Sequence, residues 1–131
     1  MANVVIDTSA LLAVMLNEPA RPALIKATAG YDLVGAPSLP WEVGNALVAG
    51  FRRKRLSASH VRHAWASFYT VPVRLVEIDA QRALDIAMDA GIYAYDAYVL
   101  ETARAEQLPI LTMDHGLERA ALRLGLKIRG F

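Results

Sequence analysis

Asp7, Glu42, Asp96 and Asp114 are the residues whose types and positions could do chemistry together in this chain of 131 residues. Asp7 follows directly on Val4-Val5-Ile6, a run rich in β-branched carbons that reads as a short buried strand. Thr8 and Ser9 come next, hydroxyl residues of the kind that open a helix. Asp114 ends a second expected strand, residues 110–113, in the same way. Glu42 lies in the first turn of a helix expected over 39–54, and Asp96 in the first turn of one expected over 95–106. Val99, Leu100 and Ala103 share the face of Asp96 at i+3, i+4 and i+7, so that acid sits on an apolar stripe. A carboxylate buried there is costly unless it is paired, protonated or bound to a metal.

Taken singly, each acid has an ordinary explanation. Acids near helix amino termini favour the helix dipole, and Asp114 could simply cap the last helix. Taken together they say more. Two end strands and two open helices, and in a parallel sheet all those positions fall on one edge, where ligands bind. Two bare carboxylates about 4 Å apart repel by about 4 kcal/mol at an effective dielectric near 20. Several such pairs could not stay ionised without a cation. Hard oxygen ligands point to Mg²⁺ or Mn²⁺ rather than zinc. A divalent ion so held can lower the pKa of a water and hold a phosphate for in-line attack, which suggests phosphodiester hydrolysis.

The elements that must position these acids alternate between strand and helix. An apolar helix over 10–16 follows the first strand, and a second over 20–29 stops at Gly30. A strand at 33–36 leads through Pro37 and Ser38 to the helix at 39–54, with Val43, Leu47 and Phe51 as its core stripe. Ser57 caps a helix carrying Val61, Trp65 and Phe68. A strand at 73–78 precedes a helix capped by Asp79 and stopped at Gly91. After the helix at 95–106 and the strand at 110–113 come a helix at 117–124, ended by Gly125, and a strand at 126–129. The alternation predicts an α/β fold of three layers, α/β/α, with a mainly parallel sheet and a single domain over residues 1–131.

Composition sets outer bounds. The length suits one domain with a real core and is too short for two. A hydrophobic fraction of 55% is high for this size, which hints that a partner covers some apolar surface. The helix at 10–16 is apolar on nearly every side, as expected of one buried by the core or by another chain. There is no cysteine, so disulfides and thiolate metal sites are excluded. No apolar run is long enough for a membrane span. The first residues lack a basic segment and Asp7 interrupts their apolar run, so a cytoplasmic protein is expected. The net charge is +1, yet with the four acids set aside nine acids face fourteen bases, a surface suited to a polyanion.

Four stretches in order, Val5-Ile6-Asp7-Thr8-Ser9, Trp41-Glu42-Val43-Gly44-Asn45-Ala46-Leu47, Tyr95-Asp96-Ala97-Tyr98-Val99-Leu100-Glu101-Thr102-Ala103 and Leu111-Thr112-Met113-Asp114, resemble the PIN-domain nucleases, and within them the VapC toxins of bacterial toxin–antitoxin pairs. The resemblance implies a PIN-like fold and a Mg²⁺- or Mn²⁺-dependent ribonuclease that cuts single-stranded RNA. It implies a homodimer held inactive by a cognate VapB-like antitoxin bound in a groove of the amino-terminal helices. It also implies that Asp7, Glu42, Asp96 and Asp114 are the metal-binding and catalytic acids, supported through hydrogen bonds by Thr8, Ser9 and Thr112.

Other readings stay open. A PIN-fold protein could bind or process RNA without being a toxin. A phosphatase of the haloacid dehalogenase type also places an Asp after its first strand, but needs a second Asp where this chain has Ser9. His60 and His63, at i and i+3, could be a metal pair or an acid–base couple, or simply face solvent without a third ligand. His115 follows Asp114 and could touch substrate or sit exposed in a loop. Arg52, Arg53, Lys54 and Arg55 could pair with a helix carboxyl end or contact RNA. Trp65, Phe68 and Tyr69 are expected in a core or an interface rather than under bases.

Overall fold

Alternation along the first strand decides where everything else packs. In the computed structural model, which describes residues 2–131, β1 (Ala2–Ile6) points Val4 and Ile6 to one face and Val5 to the other, all three buried. β2 (Tyr31–Gly35), β3 (Val73–Leu75) and β4 (Ile110–Leu111) join it in the order β3-β2-β1-β4, every pairing parallel. On the Val4 face lie α1 (Thr8–Met15), α2 (Arg21–Thr28), α3 (Leu39–Arg52) and α4 (Ala58–Phe68), meeting around Leu11, Leu24, Val43, Leu47 and Phe68. On the Val5 face, α6 (Ala94–Glu106) and α7 (His115–Arg123) close a second core around Val99, Leu100, Ala103 and Leu117. α5 (Ala80–Ala90) packs on α6 through Ala83, Ala87 and Ala97, small residues that let the two helices approach closely. The expected α/β/α layering with a parallel sheet is therefore the observed fold, with seven helices and four strands among the described residues.

The chain steps outward from β1 to β2 and β3, then crosses back to place β4 on the other side of β1. The sequence order thus reverses between β1 and β4. Crevices at the carboxyl ends of strands at such a reversal are where open α/β sheets hold ligands. The pairing Ile6↔Leu111 puts the residues just past both strands, Asp7 and Thr112, side by side.

Several expected elements differ in extent. The strand expected over 73–78 ends at Leu75, and that over 110–113 ends at Leu111. Residues 126–129 form a single parallel bridge, Ile110↔Ile128, fixed by hydrogen bonds from the Ile110 amide to the Lys127 carbonyl (3.0 Å) and from the Arg129 amide to the Ile110 carbonyl (2.8 Å). Phe51 does not belong to the core stripe of α3, being 49% exposed. The stripe is Leu39, Val43 and Leu47, and each four-residue step overshoots a full turn by about 40°, so three steps rotate Phe51 off the buried face. Thr8 and Ser9 do not cap α1; Asp7 does, accepting the Ala10 amide at 3.0 Å. Of the apolar α1, Ala10, Leu11 and Ala13 are buried against α2, α3 and α4, while Leu12, Val14, Met15 and the C-cap Leu16 stay partly exposed. No helix among the described residues is long and apolar enough to cross a membrane.

Leu100 is wholly buried one turn beyond Asp96 and pins α6 to the sheet. Leu100→Ala is expected to cost about 2–5 kcal/mol, seen in urea denaturation as a lower midpoint with an unchanged slope.

Candidate functional site

Asp7 is the fixed point of the site. Its side chain is buried at the junction of β1 and β4. Thr112 donates its hydroxyl to Oδ2 at 2.6 Å, Ser9 donates to both oxygens at 2.8 and 2.9 Å, and the Ala10 amide reaches Oδ1. Ser9 and Thr112 also receive the Met113 and Asp114 amides at 3.0 and 2.9 Å, so the same hydroxyls that hold Asp7 shape the chain after β4. Thr8 differs from the expectation: its hydroxyl is buried and makes no hydrogen bond.

The other acids come from separate elements. Asp114 caps α7, its Oδ1 accepting the Gly116 and Leu117 amides at 2.8 and 3.2 Å; Oδ2 takes none of the described hydrogen bonds. The capping explanation is thus correct as far as it goes, and it uses one oxygen of two. Glu42 stands in the first turn of α3 and accepts the Ser38 hydroxyl at 3.1 Å. Ser38 occupies the N-cap but makes no capping bond. Its backbone is helical (φ −81°, ψ −7°) rather than extended as a capping residue's is, and Pro40, two residues on, has no amide N–H, so the hydroxyl serves Glu42 instead. Sequence reasoning passed over Ser38 as a linker residue, although a serine four residues before a helix-opening acid was a usable signal. Asp96 sits half-buried in the first turn of α6 and accepts none of the described hydrogen bonds.

Burial and mutual repulsion govern these groups. Desolvation raises the Asp7 pKa; the bonds from Thr112, Ala10 and Ser9 pull it down, and the charge of Asp114 pushes it up again. Desolvation likewise raises Glu42 to about 7, against the Ser38 bond and with the charges of Asp7 and Asp96 adding. Asp96 is raised by desolvation, then by Asp114 and Asp7. Each of the four acids therefore lies in the field of at least one other. None has a basic partner: the salt bridges among the described residues are Arg74–Glu106 and Arg104–Glu101. Equally, no three ligating side chains among the described residues stand close enough to enclose one ion. The donor set, all carboxylate and hydroxyl oxygens, suits a hard divalent cation.

The remaining candidates lie elsewhere. His60 and His63 are both exposed on α4, and the His60 ring accepts the Ser57 amide at 3.2 Å to complete a capping box. They border a cavity with Met15, Leu16, Asn17 and Arg55 that has no acid in its wall. His115 is exposed beside Asp114. Arg52, Arg53, Lys54 and Arg55 are exposed at the far end of α3, about 15 Å along the axis from Glu42 at 1.5 Å per residue. Phe68 is core, Trp65 and Tyr69 stack with it at 5.4–5.8 Å, and Tyr69 is largely exposed.

A carboxyl whose folded pKa is raised carries a penalty above that pKa which vanishes below the unfolded value. Between pH about 7 and 4.5, Glu42 binds its proton in the native state before the unfolded chain does. The metal-free chain should therefore melt at higher temperature as pH falls through this window, and Glu42→Gln should flatten the trend. Thr112→Val removes a donor to Asp7 and an acceptor for the Asp114 amide. A loss of about 1–3 kcal/mol in denaturant titration is expected.

Comparison with solved structures returns the same fold. PAE2754 from Pyrobaculum aerophilum aligns over 94% of this chain and 93% of its own, at 22% identity and a TM-score of 0.64. A chain of a toxin–antitoxin complex from Klebsiella pneumoniae aligns over 85% and 86%, at 16% identity and a TM-score of 0.50. No curated protein sequence matches. The PIN domain family model matches residues 4–122, a span that runs from β1 into α7 and takes in all four acids. The chain thus belongs to the PIN domain family, whose members are generally nucleases.

Proposed function

We propose that this protein is a divalent-metal-dependent endoribonuclease, the toxin of a VapC-type pair restrained by a VapB-like antitoxin. The observation that carries the reading is four acids from four separate segments, each within another's field and none paired with a base. Such an arrangement costs stability, and a polyanion-cleaving site is what the cost serves. Asp7, Asp96 and Asp114 would hold one Mg²⁺ or Mn²⁺ ion, and Glu42 would either orient the attacking water or help hold a second. When bound, the ion supplies charge neutralisation at the phosphate and a more acidic water.

The chain's own groups do the rest. Ser9 and Thr112 fix the Asp7 carboxylate so that it need not reorganise when substrate arrives. Glu42, held by the Ser38 hydroxyl, is suited to take the proton of a water as the water oxygen bonds to phosphorus and one P–O ester bond breaks. The oxygen that leaves takes up a proton from solvent, so one water is consumed per cut.

Partner surfaces follow the same reading. Leu84 and Met88, one turn apart on α5, are exposed, as are Tyr93 and Tyr95 at the start of α6, which packs on α5; these apolar groups would suit a homodimer face. Antitoxin binding draws its support from the family membership and from the toxin–antitoxin neighbour described above. The function is proposed for the cytoplasm, where RNA is the available polyanion.

Asp7→Asn should abolish cleavage of single-stranded RNA while leaving circular dichroism unchanged, and Glu42→Gln should slow it by about 10²–10⁴-fold. EDTA should stop the wild-type chain. Expressed without a partner, the wild type should arrest bacterial growth and Asp7→Asn should not. Cleavage surviving Asp7→Asn would remove the mechanism, and harmless expression of an active nuclease would remove the toxin assignment.

A further inference from the structure

Trp41 precedes Glu42 on α3 and is 73% exposed, the largest side chain the fold leaves open beside the acids. Of the other aromatic rings, Trp65, Phe68 and Tyr69 stack on one another and Tyr95 meets Tyr98 edge-on at 6.0 Å, while Phe51, Tyr93 and Phe131 are exposed but line none of the clefts that Trp41 borders. The Trp41 indole has no ring partner among the described residues. It forms a wall between two clefts. The nearer, about 420 Å³, is bounded by Pro37, Ser38, Ile78 and Tyr98 with Glu77 at its side. Ser38 is the residue whose hydroxyl holds Glu42, so this cleft opens next to that acid.

From these features we infer that the Trp41 cleft is a base-binding subsite that selects guanine in single-stranded RNA next to the cut. The inference deepens the nuclease reading and rests on it. Its parts are a free indole face for stacking, apolar walls, and one carboxylate. Unpaired bases are bound by stacking on aromatic rings and by hydrogen bonds to their Watson–Crick edge. A carboxylate offers acceptors alone. Guanine presents two adjacent donors on that edge, N1–H and the N2 amino group, which a carboxylate takes together. Adenine and cytosine set an acceptor beside their amino donor, and uracil flanks its one donor with acceptors. Glu77 therefore favours guanine over the other three. A protein segment laid on Trp41 would gain from the indole but has no need of Glu77.

Uncharged nucleosides test this without the phosphate that metal-free acids would repel. The full chain, ¹⁵N-labelled and in EDTA, is titrated with guanosine, inosine, adenosine, cytidine and uridine while the two indole N–H resonances are followed. Guanosine should move the Trp41 resonance and leave Trp65 in place. The other nucleosides should bind about tenfold more weakly, as expected for loss of a paired base-edge contact, with inosine, which lacks the amino group, also weaker than guanosine. Glu77→Gln should level the series. In a second arm, cleavage of random-sequence RNA with Mg²⁺ should show guanine enriched at one position beside the cut, and Trp41→Ala or Glu77→Gln should erase that enrichment. No Trp41 shift, or equal shifts for all nucleosides, overturns the inference, as does cleavage blind to guanine. Selective shifts from a chain that cuts nothing would support the subsite and sink the nuclease reading instead.

Discussion

The bond from Thr112 to Asp7 is the constraint on which the rest of the structure depends. A carboxylate buried between two strands is tolerable only if its lone pairs are met, and here two hydroxyls and one amide meet them. Asp7 and Thr112 lie more than a hundred positions apart, and the contact is made just past the Ile6↔Leu111 pairing of β1 with β4. Ser9 and Thr112 each serve twice, donating to Asp7 and accepting a backbone amide from the segment after β4. The acid is thereby fixed to both strands at once. Loosening it would release the segment that carries Asp114 as well.

The order of the strands explains why these acids can meet at all. Because the strand order reverses between β1 and β4, the segments after these two strands frame the position where open parallel sheets hold ligands. Asp7 and Asp114 flank it. α3 returns from the end of β2 with Glu42 in its first turn, and α6 brings Asp96 in its own first turn. Their like charges are a strain that packing must carry, and the fully buried Leu39, Val43 and Leu100 on those two helices supply the resisting contacts.

What the sequence disclosed followed from local chemistry. An acid straight after Val4-Val5-Ile6 could be placed at a strand end, and Asp96 could be placed on a buried face, because both inferences use spacing alone. Asp79, Gly91 and Gly125 marked helix ends for the same reason. Failures came where tertiary context overrode pattern. Residues 126–129 read as a strand, yet the sheet offers only the short edge of β4, so one bridge forms. The Val76 amide still reaches the Gly35 carbonyl at 3.2 Å, but the strand ends at Leu75 and Ile78 goes instead to the wall of the Trp41 cleft. Phe51 kept the interval of the stripe but lost its direction through the helix's own rotation. Ser38 escaped notice because its value lies in what Pro40 denies it.

α3 then separates two tasks along one rod. Its amino end presents Ser38, Trp41 and Glu42, polar and aromatic groups suited to holding and cutting a strand. Its carboxyl end presents Arg52 and is followed by three more bases, all exposed. A site made of acids repels a polyanion, and a basic cluster about 15 Å away is too far to neutralise the carboxylates; under the proposed function it would draw a chain of phosphates toward them. Were those bases beside Glu42, they would pair with the acids and remove the unneutralised field on which the proposed chemistry depends. Distance along the helix keeps the two sets of charge from cancelling, a separation that the near-neutral total of +1 conceals.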